Sequence, residues 1–204
     1  MTVINKLVCR GFKSFARKTE IPLLNGFNVV AGPNGNGKSN IVDAICFVLG
    51  KSSAKDLRAE KSANLIYNGG KKGKSASEAE VSIYFDNLKK TFPFDEKEVK
   101  ITRVVKKTGN SNYFINDKAM TRQQVLDVLH VARIDPDGHN IILQGDVVHF
   151  MSMKSTDRRE IIEEVAGISV FEEKKQKAMK EMSRVQEKLN EADIILTERE
   201  KTLN

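Results

Sequence analysis

One short segment constrains this chain more than any other. Gly32-Pro33-Asn34-Gly35-Asn36-Gly37-Lys38-Ser39 fits the spacing G-x-x-x-x-G-K-[ST]. An apolar run from Phe27 to Ala31 precedes it and reads as a buried strand. An amphipathic helix follows, with Ile41, Val42, Ala44, Ile45, Val48 and Leu49 on one broad face and Gly50 as a stop. Strand, glycine-rich loop and helix in that order make a phosphate cradle. The glycines let backbone N–H groups turn inward, and the helix N-terminus adds the positive end of its dipole. In such a loop Lys38 meets the β- and γ-phosphates and Ser39 binds Mg²⁺.

The rest of such a site is harder to find. Gln144 ends a second short apolar run, Ile141-Ile142-Leu143. It is the residue type and place for an amide that touches the metal or the attacking water, because ligands of open α/β sheets lie beyond the carboxyl ends of strands. An acidic residue after a buried parallel strand is missing. Asp86 ends Val81-Ser82-Ile83-Tyr84-Phe85, but that alternation suits a half-exposed antiparallel strand. No Ser-Gly-Gly type of motif occurs either. The chain reads as half of a hydrolytic site.

Elsewhere the pattern is mixed. Val3 to Cys9 reads as a strand. Val81 to Phe85, Val99 to Val105 and Asn112 to Ile115 read as an antiparallel sheet, with a hairpin turn at Lys106 to Ser111. Thr121 and Gln124 have capping-box spacing before a helix carrying Val125 and Leu129. Ser169 and Glu172 repeat that spacing. Beyond them Ala178, Met182, Val185, Leu189, Ala192, Leu196 and Leu203 mark a heptad seam, with Arg199 in its one missing seat. Such a helix needs a partner to be stable in water, so the chain is expected to be part of a longer protein.

The net charge is +7, a surplus that favours an anionic partner but is silent about fold. Cys9 and Cys46 lack metal or redox spacing and lie in apolar runs, as buried, reduced thiols do. The first residues lack a signal-peptide pattern, and no apolar run approaches bilayer length. A soluble, intracellular protein is expected.

Several blocks now fall into one pattern: Gly11-Phe12-Lys13-Ser14-Phe15; Gly32 to Asn40 followed by Ile41-Val42-Asp43-Ala44; Asp56-Leu57-Arg58; Ile66-Tyr67-Asn68-Gly69; Leu143-Gln144-Gly145-Asp146; and Arg158-Arg159-Glu160 with Glu163 to Ile168. Together they resemble the N-terminal half of the head of an SMC protein, the ATPase family of chromosome condensation and segregation. Residues 137–146 are most similar to archaeal members. Asn36 stands where the family usually has serine, a change of little weight because backbone N–H groups bind there.

The resemblance implies an α/β fold: the N-terminal lobe of an ABC-type P-loop ATPase with an antiparallel β subdomain (residues 1–154), then a neck and the start of a protruding coiled-coil helix (155–204). It implies ATP and Mg²⁺ as cofactors, with Gly32, Pro33, Asn34, Gly35, Asn36, Gly37, Lys38, Ser39 and Asn40 around the phosphates and Ser39 and Gln144 toward the metal. Lys38 and Gln144 would serve catalysis. Lys13 and Ser14 would approach the phosphates from the first strand. Arg58 would couple DNA to hydrolysis, and Asn64, Leu65 and Ile66 would lie near the nucleoside. Implied partners are the C-terminal lobe of the same protein, a second head in a homodimer, DNA and a kleisin subunit. The implied location is the cytoplasm, on the nucleoid. Lys71, Lys72, Lys74, Lys106 and Lys107 are candidates for DNA-phosphate contacts, or simply solvated lysines. A DNA-repair ATPase of the zinc-hook or RecN type would share the loop and the arm. An ABC transporter subunit would have no such arm.

Overall fold

The computed structural model describes residues 2–51, 53–55, 57–70, 73–134, 136, 141–143, 146–156, 158–159, 162 and 169–203. They divide into two compact units, Met1–Leu143 and Gln144–Asn204.

The first unit is built on a six-stranded sheet: β1 (Ile4–Arg10), β2 (Thr19–Pro22), β3 (Glu78–Asp86), β4 (Glu98–Lys106), β5 (Ser111–Ile115) and β6 (Lys118–Met120). The spatial order is β2-β1-β3-β4-β5-β6, and each neighbouring pair is antiparallel. Period-two patterning sets the register. Ala79, Val81, Ile83 and Phe85 of β3 and Val99, Ile101 and Val105 of β4 are buried on one face. On the other face Ser82 and Thr102 stand opposite each other, and their hydroxyls bond at 2.8 Å. That pairing satisfies two buried polar groups.

Helix α1 (Lys38–Val48) covers the inner face against β3 and β4. It buries Ala44, Cys46, Phe47 and Val48, and the Phe47 ring lies 5.2 Å from that of Phe12. A 3₁₀ turn, Ser62–Leu65, leads to Ile66, which bridges to Phe12. Helix α2 (Arg122–Val131) starts at the expected cap: Thr121 accepts from the Gln124 backbone, and the Gln124 side chain accepts from the Thr121 N–H. Val125 and Leu129 anchor it in the core.

Two expected strands are absent. Phe27 to Ala31 and Ile141 to Leu143 carry no strand hydrogen bonding, and Phe27 is 93% exposed and Val29 71%. A buried strand needs neighbours for its backbone and cover for its side chains. Among the described residues no strand pairs with either run. Instead Asn28 ties the approach to the loop locally, its Nδ2 donating to the Leu24 carbonyl and its Oδ1 accepting from the Leu24 N–H.

The second unit holds α3 (Asp146–Ser152) and α4 (Ser169–Leu203). Helix α4 has 35 residues, about 50 Å of rise. Its seam residues Met182, Val185, Leu189 and Leu196 are all more than half exposed.

Cys9 and Cys46 are both fully buried. Burial pushes the Cys9 thiol up to about 12, whereas an unfolded thiol titrates near about 8.5. At pH 8 neither thiol should react with an aromatic disulfide reagent until denaturant is added. The sign of the pH effect follows from linkage: the unfolded thiol loses its proton first, so the Cys9 contribution to stability is full below about pH 8.5 and is lost as pH climbs toward 12. Rapid labelling of the folded chain would contradict this.

Candidate functional site

The site is built around the N-terminal end of α1. Gly37 is the N-cap, in the left-handed region at φ 84°, and no side chain caps the first turn, which also lacks an acid. The contrast with α2 is direct, since there the capping box fills the same role. The Asn40 N–H turns back to the Gly37 carbonyl at 2.9 Å, and a helix N-terminus without a side-chain cap suits an anion. Lys38 folds back over the loop, its Nζ donating to the carbonyls of Gly32 (2.5 Å) and Pro33 (2.6 Å). Ser39 is exposed in the first turn. The groups present fit a polyphosphate: backbone donors, one lysine and one hydroxyl.

The turn after β1 closes the other side. Ser14 Oγ accepts from Asn40 Nδ2 at 2.9 Å. Behind it lies Asp43, an acid only 2% exposed within the buried face of α1. Two cations converge on it. Lys13 Nζ donates to Asp43 Oδ2 and to the Leu57 carbonyl. Arg58 grips the same carboxylate with Nη2 on Oδ2 (2.5 Å) and Nε on Oδ1 (3.2 Å). Lys13 and Arg58 both have positive φ, 45° and 53°. That conformation is uncommon outside glycine and persists only where the surroundings over-determine it.

The far end of α1 is held by two more arginines. Arg103 of β4 donates from Nη1 to the carbonyls of Phe47 and Lys51, both at 2.9 Å, and lies over the Phe47 and Tyr113 rings. Arg122 Nε donates to the Gly50 carbonyl at 2.9 Å. Burial draws the Arg103 pKa down and pushes the Tyr113 phenol up.

The fold therefore brings Lys13, Ser14, Gly37, Lys38, Ser39, Asn40 and Arg58 into one neighbourhood. The 3₁₀ turn runs beside it, with the Leu65 carbonyl accepting from the Lys13 N–H. Leu65 and Ile66 turn their side chains into the core, while Asn64 is exposed. Gln144, Lys71 and Lys72 lie outside the described residues. Lys107 donates to Ser75 at the surface. Asp43 and Arg103 carried no assigned role in the sequence. The available signal for Asp43 was a carboxylate set among the apolar residues of a helix, four positions after Ser39.

A glycine-rich loop opening a helix, backed by an antiparallel sheet, defines a P-loop phosphate-binding lobe. The chain belongs to the family described as RecF/RecN/SMC N terminal domain, which matches residues 3–202. Its relatives include the chromosome partition protein Smc of Pyrococcus furiosus, 45% identical over all of this chain and 17% of that protein. That of Aquifex aeolicus is 46% identical over 91% of this chain and 16% of its own length. The chain thus spans about a sixth of these curated relatives. The fold is that of an SMC head. The Pyrococcus furiosus Smc head with an extended coiled coil, solved bound to the C-terminal domain of ScpA, superposes with a TM-score of 0.83 at 45% identity, covering 97% of this chain and 50% of that one. A chain solved in work on ATP-driven dimerization and DNA-stimulated activation of SMC ATPases gives 0.75 at 48% identity, covering 79% of this chain and 98% of that one.

The loop geometry separates two glycines. Both have positive φ, but a Cβ at Gly35 meets nothing within 4 Å, whereas at Gly37 it falls 2.6 Å from Ser14 Oγ. Gly35→Ala should cost about 1 kcal/mol in backbone conformation alone. Gly37→Ala should cost at least about 1 kcal/mol more in urea unfolding. Equal losses would mean that Ser14 moves aside freely.

Proposed function

We propose that this chain is the ATP-binding lobe of an SMC chromosome-partition ATPase, one wall of a site that other protein completes. The observation that carries the reading is the open N-terminus of α1, with glycine at the N-cap, no acid in the first turn and Lys38 folded over its own loop. Backbone N–H groups of the loop and first turn take the phosphates of ATP, and Lys38 moves from the Gly32 and Pro33 carbonyls to phosphate oxygens. Ser14 and Asn40 brace Gly37, and Lys13 lies behind the loop, paired with Asp43. Ser39 and Gln144 are the residues that would hold Mg²⁺. The ion, when bound, neutralises charge on the β- and γ-phosphates.

The remaining parts of the reading rest on the family resemblance. A C-terminal lobe of the same protein supplies the acidic and signature residues, and a second head faces the first across two nucleotides. DNA and a kleisin-type subunit are the partners, and the nucleoid in the cytoplasm is the place of work. Among the described residues no helix is long and apolar enough to cross a membrane. The SMC reading is favoured over a zinc-hook or RecN-type repair ATPase because relatives matched over the whole chain include the Smc proteins of Pyrococcus furiosus and Synechocystis.

ATP turnover by the 204-residue chain alone should stay near background. Adding the C-terminal lobe should restore it, and Lys38→Ala should abolish it by about two orders of magnitude or more. Robust turnover by the chain alone, lost on Lys38→Ala, would refute the half-site reading. A folded lobe pair that fails to hydrolyse ATP would refute the ATPase assignment.

A further inference from the structure

We propose that Asp43 is a positioning residue for the phosphate site: its buried carboxylate holds Arg58 in reserve behind the loop and controls when that arginine reaches bound nucleotide. The inference rests on the ATP-binding reading above.

Asp43 lies four residues after Ser39 on α1, so it shares a helix face with that hydroxyl, one turn further from the phosphate end. It is joined to the loop from the other side too, because Lys13 adjoins Ser14, which contacts Asn40. Among the described residues one carboxylate thus faces two cations.

The two cations are not equivalent. The Lys13 side chain is 12% exposed and has a second acceptor in the Leu57 carbonyl. The Arg58 side chain is 46% exposed and turns its fork on the acid alone among the bonds described. When Arg58 departs, Asp43 keeps Lys13 as counter-charge, so no lone charge is left buried. Phosphate oxygens carry more negative charge than one carboxylate and accept the same planar fork. They compete for Arg58 without disturbing the Asp43–Lys13 pair. Asp43 is therefore a holder with a spare partner, and Arg58 is the spare.

The test is steady-state ATP turnover by the full-length protein. Asp43→Asn should raise turnover at least about threefold, because the arginine is no longer held back. Arg58→Ala in the Asp43→Asn background should return turnover to the value of Arg58→Ala alone. Lower turnover for Asp43→Asn in both backgrounds would make Asp43 a structural residue only and overturn the proposal. Where Asp43→Asn does not fold, Asp43→Glu carries the test. It keeps a charge for Lys13 but displaces the carboxylate from the fork, and unchanged turnover with an unchanged melting temperature would overturn the proposal. Binding of a fluorescent ATP analogue to wild type and Lys38→Ala separates the two readings. Equal binding removes the ATP-binding reading and this inference with it. Loss of binding on Lys38→Ala, with Asp43 variants that turn over like wild type, removes this inference alone.

Discussion

In the ATP-binding reading proposed above, helix α1 keeps its N-terminus open for an anion, so its position must be secured elsewhere, and four cations do this. Lys13 and Arg58 hold Asp43 near the phosphate end. Arg103 and Arg122 hold the carbonyls of Phe47, Lys51 and Gly50 at the other. The second pair complements the negative end of the helix dipole and donates to carbonyls at and just beyond its last turn. The first pair surrounds a carboxylate that would be very costly to bury alone, about 3–5 kcal/mol if one partner of a buried pair is removed. Arg103 comes from β4 and Arg122 from the start of α2. The antiparallel sheet thereby sets the position of the helix whose N–H groups the proposal assigns to the phosphates.

A second constraint concerns surfaces that this chain does not cover by itself. Leu24, Phe27 and Val29 are at least 71% exposed on the approach to the loop. The seam of α4 is exposed along Met182, Val185, Leu189 and Leu196. Apolar surface of this extent marks an interaction site rather than ordinary surface scatter. The same physical logic applies to both: among the described residues an apolar run with no pairing strand and a heptad helix with an exposed seam leave backbone or side-chain groups that further protein would satisfy. The match to a sixth of its relatives' length accords with that.

Where local rules decide the structure, the sequence was legible. The alternation of Val81, Ile83 and Phe85 set a strand face, and Thr121 and Gln124 set a helix start to the residue. The spacing from Gly32 to Ser39 located the loop, and Gly37 adopts the left-handed backbone that such a loop demands. The apolar runs at 27–31 and 141–143 were misread because a buried-strand pattern states a need for neighbours, and pattern alone does not say whether the chain supplies them. Strands β2 and β6 went unseen for the opposite reason. They are edge strands of four and three residues, too short to show a period, so pairing with β1 and β5 creates them.

Asp43 shows where sequence reasoning stops. Its partners lie 30 and 15 residues away in the chain, and each comes from a turn whose backbone has positive φ. Neither the distance nor the strained turns can be read from periodicity. A periodicity argument would assign Asp43 to the solvent side of a helix whose neighbouring positions are apolar, and that assignment fails because the charge is neutralised in place. Lys13 and Arg58 then take on a meaning they lack as isolated basic residues. Lys13 is the fixed counter-ion that makes burial of Asp43 tolerable, and that permanence is what frees Arg58 to be exchanged between a carboxylate and a phosphate.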